Sequence, residues 1–250
     1  MLVVISPAKK LNESPLGLDI DVTQPQLLSK TNEAVSTLKK LNQKQISNLM
    51  KLSEKLSDLN FKRFQSFSKP SITKPAIFMF DGDTYTGLDI NSLKNKDIKK
   101  TQKNVRILSG LYGILRPLDI IAPYRLEMGT SISIGKYKNL YSLWREEVTN
   151  LLNQDLKNHN FLANLASNEY FKVVDTKNLS KPIIQFNFLD KKNDQYKMIS
   201  FNAKRARGAM AREIVLGNVS TLDDLKHLTP LGYTYSHKDS SELELTYLRD

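Results

Sequence analysis

The chemistry open to this chain lies in five stretches where charged or hydroxyl side chains sit beside glycine, proline or the end of an apolar run, the settings in which binding loops form. In Ile5-Ser6-Pro7-Ala8-Lys9 an ammonium group follows a short β-branched run and can offer a point charge to an anion. Asp81-Gly82-Asp83 sets two carboxylates around a glycine, which suits a hard cation, a proton transfer, or simply an Asp-Gly turn. Gly110-Leu111-Tyr112-Gly113 has the spacing of a helix-hairpin-helix turn, whose exposed N–H groups hold a DNA phosphate without reading bases. Arg116 follows it, and Tyr124-Arg125-Leu126-Glu127 adds a hydroxyl, a guanidinium and a carboxylate. In an extended segment Arg125 and Glu127 share a face and can pair with each other. Asn164-Leu-Ala-Ser167-Asn168-Glu169-Tyr170 places polar groups just after a strand-like run, with Ser167 suited to cap a helix. The last stretch, Ala203–Ile214, reads as a helix buried through Ala206, Met210 and Ile214. Lys204, Arg207, Gly208 and Ala211 share another face of it, where small residues leave room for an anion beside two cations.

Composition narrows the classes. Lys and Arg exceed Asp and Glu by 37 to 26, a formal net charge of +11. The excess is spread over the first 200 residues, with no basic tail. It favours a polyanion or a phosphorylated or carboxylate ligand. There is no cysteine, so disulfides, thiolate zinc sites and cysteine nucleophiles are excluded. Three scattered histidines do not make a metal cluster, and no cofactor or metal is expected. No apolar run is long enough to span a membrane, and a cytoplasmic protein is expected. Dinucleotide, P-loop and Ser-elbow motifs are absent.

The elements that must carry these groups are read from periodicity. Leu2–Ile5 is a first strand. From residue 25 to about 68 the pattern is helical: one helix through Leu27–Leu38, a second through Ile46–Leu56 entered at Asn42 with Gln45 as capping-box partner, and a short one through Phe61, Phe64 and Phe67. Ala76–Phe80, Phe161–Leu165 and Lys172–Val174 read as strands, and Val105–Leu108 as a strand or a helix end. Ser142–Leu156 is an amphipathic helix. Pro182–Asp190 and Gln195–Asn202 form a hairpin across Lys191–Asp194. Ala203–Leu216 and Asp223–Leu228 close the chain as helices. Without a regular βαβ rhythm, the expectation is one α+β domain over residues 1–250, with a mixed or antiparallel sheet, packed helices and a helix-hairpin-helix element at Gly110–Gly113.

ISPAK at 5–9, GDTYTGL at 82–88, LSGLYGILRPLDIIAPYRLEMG at 108–129, NLASNEYFK at 164–172 and ISFNAKRARGAMAR at 199–212 together resemble the YaaA family of bacterial peroxide-stress proteins. The resemblance runs nearly end to end, more loosely over 10–75. It implies a cytoplasmic protein that aids survival of hydrogen peroxide, keeps unincorporated iron low and limits DNA damage. It also implies an unusual α+β fold with a basic cleft. The family-like polar positions are Lys9, Asp83, Tyr85, Arg116, Tyr124, Arg125, Glu127, Asn164, Ser167, Glu169, Tyr170, Lys204 and Arg207. The leading expectation is non-specific DNA binding, with Gly110, Gly113, Arg116, Arg125, Ser167, Lys204 and Arg207 holding phosphates. The alternative is an enzyme acting on a small nucleotide-like, phosphorylated or carboxylate substrate through Lys9, Tyr124, Glu127, Asn164 and Glu169. Direct iron binding ranks third, since only Asp81 and Asp83 offer oxygen ligands.

Overall fold

Leu2–Ile5 carries no polar side chain on either face, and it forms strand β1, buried throughout. Such strands belong inside parallel sheets covered on both sides, and the computed structural model, which describes residues 1–250, places β1 in the middle of one. After the short strand β2 (Lys10–Leu11) come helices α1 (Leu28–Lys39), α2 (Gln43–Met50) and α3 (Glu54–Gln65). Asn42 caps α2 in the expected reciprocal box with Gln45. The expected helix through Ile46–Leu56 is instead broken at Lys51, whose left-handed backbone ends α2, and α3 takes over the phenylalanine stripe.

The next segment is strand β3 (Lys74–Pro75), helix α4 (Ala76–Met79), strand β4 (Phe80–Asp81), then helices α5 (Asp83–Leu88) and α6 (Asn95–Asn104). Ala76–Phe80, expected as a strand, is mostly a buried helical turn; periodicity cannot separate the two in so short an apolar run. Strands β5 (Val105–Ser109), β6 (Gly113–Leu115) and β7 (Ile120–Ile121) follow, then helix α7 (Leu140–Leu156), strand β8 (Leu162–Leu165) and helix α8 (Asn168–Phe171). Lys172–Val174 is not a strand; it turns out of α8 with both valines buried. The chain ends with strands β9 (Ile183–Lys192) and β10 (Gln195–Lys197), helices α9 (Ser200–Leu216) and α10 (Leu222–Lys226), and strands β11 (Thr234–Tyr235) and β12 (Glu244–Arg249).

The sheet order is β11-β12-β9-β8-β1-β5-β6, with β10 paired to β9. The five strands from β12 to β5 run parallel, and only β6, β10 and β11 are antiparallel. The sheet is mixed, as expected, but mostly parallel, so the fold is α/β rather than the expected α+β. Parallel neighbours need long crossovers. Here the path from β1 to β5 holds six helices, which hides the βαβ rhythm from any local reading. The hairpin at β9 and β10 forms as expected, although β10 stops at Lys197 and Ser200–Asn202 already belongs to α9. One cluster of 62 buried apolar residues joins the sheet and the helices on both faces. No helix is long and apolar enough to cross a membrane.

Two features of this topology set up the site. From β1 the chain moves to β5 on one side, whereas β8 leads to β9 and β12 on the other. The carboxyl ends of β1 and β8 thus flank a switch point, where open α/β sheets leave a crevice. In addition, α5 and α9 touch backbone to backbone. A Cβ on Gly208 would lie 2.7 Å from Leu88 N and 2.8 Å from the Thr84 carbonyl carbon, and one on Gly87 would lie 3.0 Å from Ala209 N. Gly208 therefore admits a neighbouring helix, not the anion anticipated from its sequence position.

Candidate functional site

The crevice at the switch point has a volume of about 300 Å³, the lower end of the range for small-ligand sites. Four chain segments build it: Ser6–Lys10 leaving β1, Asp81–Tyr85 entering α5, Ser167–Tyr170 leaving β8, and Lys204 and Arg207 on α9. Serine links hold the two strand ends together. The Ser167 N–H donates to Ser6 Oγ at 2.9 Å, and the two hydroxyl oxygens lie 3.3 Å apart. The Tyr85 hydroxyl donates to the Ser6 carbonyl at 3.1 Å from beneath. Burial raises the Tyr85 and Tyr170 phenols well above their ordinary range, and neighbouring phenols push both further up, helped at Tyr170 by Glu169 and Glu127. Both therefore stay protonated and can donate.

Four cations and three carboxylates line the crevice, and most are already paired. Lys10 reaches Asp81 at 2.6 Å and Asp83 takes Arg205 at 3.2 Å. Lys9 pairs with Glu127 at 2.8 Å, and Glu127 also receives Arg125 at 3.2 Å, the pairing expected from their shared face. The Gly129 N–H donates to Glu169 at 3.0 Å. Two cations remain. Lys204 is exposed at the rim, and Arg207 is half-buried; neither makes a hydrogen bond or ion pair within the chain. Burial alone pulls the Arg207 guanidinium below its ordinary value, with no carboxylate offsetting it. A partly desolvated guanidinium without an internal anion is held less favourably than in water, and an incoming anion offsets that cost.

A larger cavity of about 920 Å³ lies on the far side of α9, where its arginines are committed. Arg212 donates to the Leu88 and Asp89 carbonyls at 2.9 and 2.8 Å and so closes the end of α5. Arg249 forks onto Asp190 at 2.9 and 2.6 Å and stacks over Tyr233.

Of the residues expected to carry function, Lys9, Ser167, Glu169, Lys204 and Arg207 line the crevice. Glu127 and Arg125 reach it through Lys9. The others lie elsewhere. Tyr124 is buried behind the lining residues Tyr85 and Tyr170 and shares a 2.6 Å hydrogen bond with Ser109. Asn164 is buried in β8, donating to Gln185 at 2.7 Å and accepting from the Ala166 N–H at 3.1 Å. Arg116 forks onto the fully buried Asp119, with contacts of 3.1 and 2.8 Å. The expected helix-hairpin-helix turn joins strands β5 and β6 instead, and it is buried. The Gly110 carbonyl accepts from the Trp144 indole at 2.9 Å, and Gly113 adopts φ +72° with Trp144 against it. Neither glycine can meet a phosphate there. The signal for Arg116 was in the sequence, since Arg-Pro-Leu-Asp is a turn in which the aspartate can bond back to the Arg116 N–H, as it does at 2.8 Å. Ser6 and Thr84, which fall inside stretches singled out for other residues, and Lys10, which carries no local sequence signal, also line it.

The sequence model of the family described as Peroxide stress protein YaaA matches residues 1–239. A UPF0246 protein of Flavobacterium psychrophilum is 46% identical over 252 residues, covering 100% of both chains. One of Idiomarina loihiensis is 48% identical over 255 residues, covering 100% of this chain and 98% of its own. A third, of Marinomonas, is 44% identical over 252 residues, covering 100% and 97%.

Proposed function

This chain belongs to the peroxide stress protein YaaA family, and from that premise we propose that it exerts its protective role through the switch-point crevice, as a site for a small phosphorylated or carboxylate ligand. The observation that carries this reading is Arg207, half-buried beside Lys204 with no partner inside the chain. A guanidinium fork and an ammonium group on one helix face suit the oxygens of a phosphate. Glu169 and Tyr170 line the same crevice, where the protonated phenol can donate a hydrogen bond to the bound molecule and the Glu169 carboxylate can accept one. Asp81 and Asp83 are engaged by Lys10 and Arg205, so any effect on iron-dependent damage is read as indirect.

DNA association is the second reading, and the +11 charge favours it. Phosphodiester groups would meet the same two cations, assisted by surface lysines, without base readout. Calorimetric titration separates the readings. Inorganic phosphate or pyrophosphate should bind wild-type protein, and Arg207→Ala should weaken it at least tenfold. Equal affinity in wild type and variant would overturn the crevice reading. DNA binding should fall steeply with salt and weaken similarly on unrelated sequences in Arg207→Ala and Lys204→Ala.

A further inference from the structure

The end of the molecule that holds the crevice also carries an unpartnered apolar surface. Strand β8 pairs with β9 only over Ile183–Gln185, and β12 only over Gln185–Asp190. The hairpin beyond Asp190, turned by Asn193 and Asp194 in left-handed backbone conformations, therefore extends the sheet past the carboxyl end of β8, with β10 on the side of β9 that β8 has left. It returns directly into the amino end of α9. Along that return Tyr196, Met198 and Phe201 are 41%, 63% and 53% exposed, beside Lys191, Lys192 and Lys197. Phe201 lies one turn ahead of Lys204 on α9, so their side chains are neighbours on the helix surface. A flat apolar ring thus stands next to the cation at the rim of the crevice.

Charge adds a second constraint. The two cations that lack internal partners match the two negative charges of a phosphate monoester, which carries nearly −2 at neutral pH, whereas a diester group carries one. We infer that the occupant of the crevice is a nucleoside monophosphate, its terminal phosphate on Arg207 and Lys204 and its base lying against Phe201 and Met198. This rests on the crevice reading above and names the ligand class for it. A base stacked on an aromatic side chain strengthens binding whatever its sequence identity, so the surface accepts purine and pyrimidine alike, purines more tightly.

The test is calorimetric titration of the full chain with AMP, ribose 5-phosphate and inorganic phosphate. AMP should bind five- to a hundredfold more tightly than ribose 5-phosphate, the range that stacking of one base supplies. Phe201→Ala should abolish that advantage while leaving ribose 5-phosphate affinity unchanged, and Phe201→Tyr should restore it. Arg207→Ala should weaken AMP and ribose 5-phosphate together. AMP and ribose 5-phosphate binding equally to wild type, or an AMP advantage that survives Phe201→Ala, overturns the nucleotide inference and leaves the anion crevice standing. Failure of all three compounds to bind overturns both.

Discussion

Gly208→Ala reports on the contact that builds the site. In an isolated helix this change stabilises by about 1 kcal/mol, because glycine is the poorer helix former. In this protein the new methyl group would meet the backbone of α5, 2.7 Å from Leu88 N and 2.8 Å from the Thr84 carbonyl carbon. The Thr84 carbonyl oxygen lies closer still, and comfortable contact needs about 3.5 Å or more, so the helices must part by more than about 1.5 Å. The obstructing atoms are main chain and cannot rotate away. Overpacking of this kind costs about 1–3 kcal/mol, and more where nothing yields. Net destabilisation of about 2 kcal/mol is expected after the propensity gain, or a melting point lower by about 4–8 °C for a chain of this size. The assay is thermal and urea unfolding of wild type, Gly208→Ala and Gly17→Ala, the last a control because nothing lies within 4 Å of a Cβ there. Parting α5 from α9 also moves Arg207 and Lys204 away from Asp83 and Gly82, so phosphate affinity should fall in the folded variant. A Gly208→Ala protein as stable as wild type, or more so, would refute the backbone contact and the site geometry derived from it.

Arg116→Ala leaves Asp119 buried without its guanidinium and should destabilise by about 3–5 kcal/mol, while phosphate affinity of the folded fraction stays at the wild-type level; loss of binding without loss of stability would put Arg116 in the site after all. His159 is held neutral mainly by burial, helped by the nearby amino terminus and Arg106, and its pKa falls to about 4 from an ordinary 6.5. A base depressed in this way contributes stability that is complete above pH 6.5 and lost as pH falls toward 4. Urea midpoints at pH 7 and 5 should therefore differ less in His159→Gln than in wild type, and equal differences would refute the assignment. Phosphate-ester binding should tighten from pH 5 to 7 as the ligand becomes a dianion; a flat profile would indicate that a single negative charge suffices.

Several elements were legible in the residues because their causes lie within a few positions of one another. The apolar β-branched run at Leu2–Ile5, the Asn42–Gln45 box and the amphipathic run of α7 each contain their own reason. The pairing of Arg125 with Glu127 is equally local. Short apolar runs such as Ala76–Phe80 were not legible, since burial on all sides suits a helical turn and a strand alike. The Gly110–Gly113 spacing misled for a related reason: glycine marks a place where a side chain does not fit, without saying whether the excluding atom is a phosphate, the Leu126 backbone or the Trp144 ring.

By itself the sequence determined most of the local elements, the family and the set of polar residues from which a site could be drawn. Tertiary structure alone decided that β1 and β8 lie side by side in parallel, and so that Ser6–Lys9 and Ser167–Tyr170 face one crevice across more than 150 residues of chain. It also decided which cations are free. The charge of an arginine is written in its codon, but its availability depends on whether folding brings a carboxylate or carbonyl to it. Arg106 is taken by Asp155 and Arg212 by the end of α5, and Arg207 is left facing the crevice.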